Sequence, residues 1–176
     1  MIKFKPLPLI KSVLIVSVIM ANIGCDQVSK HLVRERMSDN QNISLLYNHF
    51  TLIKVENTGA FLSLGDSIPG PVKFVLLTLL PLVILIGAVV YLIIKRKHIA
   101  LIPLIAACFV VGGGIGNVYD RLLYSSVTDF MHIRFGFLQT GIFNMADVSV
   151  TVGVLMVFVY FYIMGRKDNA SSSVHA

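Results

Sequence analysis

The sequence predicts an α-helical integral membrane protein: four transmembrane helices with a small extracytoplasmic β-sheet lying on the membrane. Three observations carry this. The chain is 56% hydrophobic and only 14% charged, with mean hydropathy +0.80, far less charge than a soluble domain of 176 residues carries. Residues 74–94 and 99–119 are each 21 residues without a charged side chain, long enough to cross ~30 Å of hydrocarbon. Between the first apolar run and residue 74 the pattern changes to the alternation expected of half-buried strands.

The elements follow in order. Residues 12–25 are apolar but short for a span. If residues 7–10 join them and Lys11 snorkels to the interface, a span of about 7–25 results. Lys3, Lys5 and Lys11 before an apolar run also describe a secretory signal peptide, and Asn22-Ile23-Gly24-Cys25 resembles a poor lipobox. Three further apolar spans favour an uncleaved first span.

Residues 26–71 form the first outer region. Asp26 and Lys30 are spaced i, i+4 with the acid first, the better order for a helical pair. They read either as an ordinary interfacial ion pair or as a pair ordering the membrane-side end of span one. Residues 43–47, a turn at Asn48-His49 and residues 50–55 read as a hairpin. Asn57-Thr58-Gly59-Ala60-Phe61 reads as a turn entering a short apolar strand. Gly65, Pro69, Gly70 and Pro71 then punctuate the chain.

Span two is 74–94, with Pro81 placed to kink it, and Lys95-Arg96-Lys97-His98 is a tight basic turn. Span three is 99–119. Pro103 falls in its first turns, and Gly112, Gly113, Gly114 and Gly116 near its far end allow close helix approach. The second outer region is 120–140, where Val127, Asp129, Met131 and Ile133 share one face of an alternating strand. Span four is 143–165, and residues 169–176 read as a disordered cytoplasmic tail. Residues 1–168 thus make a single membrane domain.

Charge sets the orientation. Lys3, Lys5, Lys11, Lys95, Arg96, Lys97, Arg166 and Lys167 lie on one side with one acid, Asp168. The other side holds the remaining seven basic residues and eight acids. By the positive-inside rule both termini and the basic turn are cytoplasmic. The basic residues are dispersed, so no nucleic-acid patch forms. Cys25 and Cys108 sit in apolar segments and give no disulfide or metal signature. No cofactor is expected, and no metal, since no His, Cys and acid cluster has ligand spacing.

The chemistry concentrates in residues 127–147. Asp147 interrupts an otherwise uncharged run from 135 to 165. A carboxylate in a membrane-grade segment is costly and marks a functional site. With Asp129 nearby, two carboxylates can share one proton and activate a water. Asn117, Asp120 and Arg121 stand i, i+3, i+4 at the outer end of span three, and Asn144 and Asp147 stand i, i+3 at the outer end of span four. Asp26 and Asn57 can approach from the first outer region. Asp120, beside Arg121 and one turn from Asn117, should stay ionised and structural. Asp129, on an apolar strand face, should have a raised pKa and can serve as general acid with Asp147 as general base, though a coupled pair titrates as a unit and the sequence leaves the split open.

These strings, taken in order, resemble the bacterial lipoprotein signal peptidases (signal peptidase II). The matching pieces are Asp26-Gln27-Val28-Ser29-Lys30, residues 57–61, Gly116-Asn117-Val118-Tyr119-Asp120-Arg121, Val127-Thr128-Asp129-Phe130 and Phe143-Asn144-Met145-Ala146-Asp147. The resemblance implies a membrane-embedded aspartic endopeptidase of the bacterial cytoplasmic (inner) membrane, with its active site at the outer face. It would cleave diacylglyceryl-modified prolipoproteins just before the lipidated cysteine. The catalytic pair would be Asp129 and Asp147. Asp26, Lys30, Asn57, Gly59, Asn117, Asp120, Arg121, Asn144 and Ala146 would support the site or substrate. Lipid-modified prolipoproteins, membrane lipids and globomycin-type peptide inhibitors are the implied partners, and nucleic acid is not one. A proton-coupled carrier is the rival class, because intramembrane acids also relay protons. Four spans without repeats, and acids at one boundary only, argue against it. A structural membrane subunit would not need the paired Asn-Asp arrangement.

Overall fold

The computed structural model describes residues 8–38, 41–59 and 68–173. Four helices in it are long and apolar enough to cross a membrane. They are α1 (Pro8–Arg36), α2 (Gly70–Lys95), α3 (Leu101–Tyr124) and α4 (Met145–Ser173). A four-stranded antiparallel sheet accompanies them: β1 (Asn42–Leu45), β2 (Phe50–Asn57), β3 (Val127–Phe135) and β4 (Leu138–Gln139), in spatial order β1-β2-β3-β4.

Helix α1 does not stop near Cys25. Residues 26–36 contain neither Pro nor Gly, and they place Asp26, Lys30 and Arg34 on one helical stripe at i, i+4, i+8. That stripe faces α3, so charges that read as a loop from hydropathy are paired inside the molecule. Asp26 and Lys30 are fully buried, which excludes an ordinary interfacial pair. At the opposite end Lys11 is buried and donates from Nζ to the Arg96 and Ile99 carbonyls at 2.9 and 2.7 Å. Its ammonium ties α1 to the turn between α2 and α3, so the expected snorkelling to the interface gives way to buried pairing with backbone carbonyls.

Helix α2 starts at Gly70, with Pro71 in its first turn, where a missing N–H costs nothing. Pro81 cannot donate within the helix. The chain takes a π-helical turn at Val75–Leu79 just before it, which absorbs the lost bond. Pro103 falls in the first turn of α3 and is likewise tolerated.

Helix α3 is the centre of the bundle and packs on the other three. Its glycines make this possible. A Cβ on Gly116 would lie 2.5 Å from Asp26 Oδ2, and one on Gly113 would overlap the Ala146 carbonyl. The apolar core includes Ile15 and Ile19 of α1, Leu85 and Leu92 of α2, and Leu104, Cys108, Val111 and Val118 of α3.

The sheet grows from the end of the bundle away from Lys11. Strand β3 follows α3 after Ser125, whose left-handed φ of +59° closes the helix. β2 pairs with β3 and carries one extra residue between Leu52 and Val55, a bulge that strengthens the local twist. Phe130 packs on Val33 and Met37 in the extension of α1, which braces the sheet. β2 ends at Asn57; residues 60 and 61 of the expected further strand lie outside the described residues. Helix α4 begins at Met145 rather than 143 and continues to Ser173, past the start of the expected tail at 169.

Candidate active site

Six of the sequence-predicted residues converge on one cavity of about 200 Å³ at the sheet end of the bundle: Asn57 from β2, Asn117 and Arg121 from α3, Asp129 from β3, and Asn144 and Asp147 at the start of α4. Leu77 and Pro81 of α2, with Val127 and Ile142, complete its apolar wall.

Asn144 organises it. It precedes Met145, the first residue of α4, and is the helix N-cap. Its Oδ1 accepts the Asp147 N–H at 3.0 Å, while its own N–H donates to Asp147 Oδ2 at 3.1 Å. This reciprocal pairing is a capping box, with Asp in place of Glu or Gln. It explains the i, i+3 spacing as a helix start, where the positive end of the dipole favours a carboxylate. The Asn144 amide group then donates to Asp129 Oδ1 at 2.7 Å and to Asn117 Oδ1 at 3.1 Å. Asn117 in turn donates to Asp147 Oδ1 at 2.9 Å. Asn57 donates to Asp129 Oδ2 at 2.9 Å and accepts the Gly59 N–H at 3.0 Å. Each carboxylate is therefore aimed by amide donors that are themselves fixed.

The two acids differ. Asp129 is buried, and its pKa is raised from 3.8 to about 6. Burial is the main cause and the Asp147 charge adds to it, against the hydrogen bonds from Asn57 and Asn144. Asp147 is half-buried.

The other five predicted residues, Asp26, Lys30, Gly59, Asp120 and Ala146, do not line the cavity. Lys30 Nζ lies 2.8 Å from Asp26 Oδ2 and 2.9 Å from Asp120 Oδ2, and it donates to Asn117 Oδ1 at 2.9 Å. Asp26 Oδ1 accepts the Ala146 N–H at 2.9 Å, fastening α1 to the first turn of α4. Arg121 donates to the Gly59 carbonyl at 3.0 Å. Ala146 and Gly59 thus contribute through their backbones.

Sequence reasoning missed Gln27, Arg34, Thr128 and Glu56 as parts of this network. Gln27 donates to Asp120 Oδ1 at 3.1 Å. Arg34 lies 3.0 Å from Asp120 Oδ2, donates to Thr128 Oγ1 at 2.8 Å and sits 4.0 Å over the Tyr124 ring. Thr128 donates from its hydroxyl to Glu56 Oε1 at 2.8 Å. The four-residue spacing from Lys30 to Arg34 was the available signal for Arg34.

Fold and site together define an integral membrane protein with two differently housed carboxylates in a polar cavity at one end of its bundle. Comparison with known proteins narrows this class. The family model described as signal peptidase (SPase) II matches residues 18–163. Similar curated proteins include lipoprotein signal peptidases of Clostridium novyi, 32% identical over 86% of this chain and 99% of that one, and of Listeria monocytogenes, 32% identical over 84% and 92%. That of Streptococcus thermophilus is 34% identical over 87% and 93%. Two solved bacterial membrane enzymes share the fold. One, at 2.3 Å resolution, has TM-score 0.71 and 23% identity over 84% of this chain and 87% of that one. The other, at 1.9 Å, has TM-score 0.65 and 25% identity over 86% and 91%. The chain belongs to the signal peptidase II family.

Proposed function

We propose that this protein is a membrane-embedded aspartic endopeptidase that removes the signal peptide from diacylglyceryl-modified prolipoproteins, cutting before the lipidated cysteine. The observation that carries the aspartic mechanism is that Asp129 and Asp147 open onto one cavity and are held by Asn144, which contacts both. Membership of the signal peptidase II family and the lipoprotein signal peptidases among its relatives support the substrate.

In this reading a water sits between the carboxylates. Ionised Asp147 takes a proton from it as its oxygen bonds to the carbonyl carbon before the cysteine. Protonated Asp129 delivers its proton to the leaving nitrogen as the C–N bond breaks. The signal peptide leaves with a new carboxyl group and the lipoprotein with a free amine. The proton gained by Asp147 then returns across the pair. Arg121, fixed to Gly59, holds the end of β2 over the cavity. The signal helix would lie among the spans, with the substrate's lipid chains in the bilayer. The site faces the outer side of the cytoplasmic membrane, and globomycin-type peptides would compete there.

The test is cleavage of a lipidated prolipoprotein, read as a mass loss equal to the signal peptide, beside melting temperature. Asp129→Asn and Asp147→Asn should each fold and bind substrate but lose far more than tenfold in rate. The double variant should be hardly slower than either single one, since groups acting as a unit are non-additive. A single variant retaining over about a tenth of parental activity, a loss under ~1.4 kcal/mol, removes that residue from the catalytic pair.

A further inference from the structure

A regular α-helix pairs the N–H of each residue with the carbonyl four residues before it. Helix α2 departs from that rule beside the cavity. In the π turn Val75–Leu79 the step is five, so the Leu80 N–H donates to the Val75 carbonyl and passes over that of Leu76. Pro81, the next residue, has no N–H. The α pattern runs on from Leu80. The carbonyls of Leu76, Leu77 and Thr78 therefore share one helical donor, the N–H of Leu82. The turn takes up the missing proline bond by sliding the pattern one residue, and the slide leaves carbonyls in excess.

Leu77 and Pro81 stand about one helical turn apart, and both line the cavity. A helix carbonyl points along the axis toward the residue four ahead. The Leu77 carbonyl thus lies between these two residues, on the cavity wall, where any residue but proline at 81 would have placed an N–H. The donors on the other side of the cavity are directed elsewhere. Arg121 donates to the Gly59 carbonyl, Asn117 to Asp147 and Asn144 to Asp129.

We propose that the Leu77 main-chain carbonyl is a substrate-binding group, accepting a main-chain N–H from one of the three residues before the cleaved bond. This rests on the peptidase reading. A peptide stretched across the cavity, with its scissile carbonyl at Asp129 and Asp147, carries N–H groups that lose water on entry. Each then needs an acceptor. Among the described residues, the α2 wall of the cavity consists of Leu77 and Pro81, which offer no polar side chain. A carbonyl released by proline is the acceptor that wall has. It reads main chain and no side chain, so it suits substrates of differing sequence. Pro81 is the positioning residue: its missing N–H keeps the carbonyl free.

The test uses lipidated prolipoprotein peptides in which the amide N–H of the first, second or third residue before the cysteine is replaced by an ester oxygen, one position at a time. Kd is measured on the full-length Asp147→Asn variant, with and without Pro81→Ala, and kcat/KM is measured with Asp147 in place. One of the three esters should weaken binding about threefold to tenfold, the worth of a neutral hydrogen bond. Pro81→Ala should weaken the all-amide peptide by a similar factor, through KM and not kcat, and should melt no lower than the parent. It should be indifferent to that same ester, because the substituted N–H already occupies the carbonyl. Pro81→Val, nearer to proline in volume and carrying the same N–H, should behave alike. Losses from the ester and from Pro81→Ala that multiply would mean that Pro81 only shapes the helix, and would overturn the proposal. So would a parent indifferent to all three esters. Either result in an enzyme that still cleaves leaves the peptidase reading standing, whereas a parent that neither binds nor cleaves the all-amide peptide overturns both.

Discussion

Asp129 is gripped by two neutral amides, Asn57 and Asn144, while Lys30 pairs with Asp26 and Asp120. That division surrounds Asp129 with neutral donors and gives the lysine to the other two carboxylates. Asp129 has a folded pKa of about 6 against 3.8 ordinarily. Between those values the folded protein binds a proton that the unfolded chain has released. Stability therefore falls as pH rises from 3.8 through 6, on the order of 3 kcal/mol in the limit. The parent should gain melting temperature from pH 7.5 to pH 5, and Asp129→Asn should gain distinctly less, measured in one detergent. For catalysis the sign is the same: if Asp129 is the proton donor, kcat/KM should decline above an apparent pKa near 6, a value belonging to the pair. A flat profile from pH 5 to 8 would reverse the assignment of acid and base. Asp120 should behave otherwise. It does not line the cavity but joins Lys30, Arg34 and Gln27. Asp120→Asn should lower the melting temperature, the loss of stability reaching ~3–5 kcal/mol for a broken buried pair, with activity falling only alongside it. Full thermal stability with no activity would move it into the catalytic set.

Among the elements, α3 carries the heaviest geometric demand, because it touches all three other helices. Gly116 can hold no side chain, since a Cβ there meets Asp26 Oδ2 at 2.5 Å and Asp26 is fixed by Lys30 and the Ala146 N–H. Gly116→Ala should cost ~1–3 kcal/mol or more, as overpacking does, and separate α1 from α3 at the site. Gly24 of α1 has open space around it, so Gly24→Ala should be neutral or slightly stabilising. Equal melting temperatures for the two variants would show that the close approach is not needed. The charge-free spans were legible because length and hydropathy alone mark them. The true end of α1 was not, because hydropathy scores Asp26, Lys30 and Arg34 as solvent-seeking until a partner helix neutralises them. The start of α4 was misplaced by two residues for a related reason. Phe143 and Asn144 continue the apolar segment in sequence, but Asn144 uses its side chain as a cap, and Phe143 bridges to Met131 of β3.

On the scale of the whole molecule, the two ends of the bundle are chemically opposite. One end is closed by Lys11 reaching the carbonyls of Arg96 and Ile99, next to the basic run 95–98. The other carries the sheet, the two carboxylates and the buried network around Asp120. Convergence of Asn57, Asn117, Asn144 and two aspartates at one depth was readable from spacing. The bracing of β3 by Arg34 through Thr128 was not, because it joins residues 94 apart. With eight basic residues against one acid on the Lys11 side, we propose, by the positive-inside rule, that this end lies inside the cell. In this proposal four spans would return both termini to the cytoplasm and leave the sheet outside. A reporter fused at Lys97 should therefore read as cytoplasmic, and one inserted at Asn48, in the exposed turn between β1 and β2, should read as external. Protease cleavage at Lys97 in intact cells would invert the molecule, and with it the compartment from which the two aspartates meet their substrate.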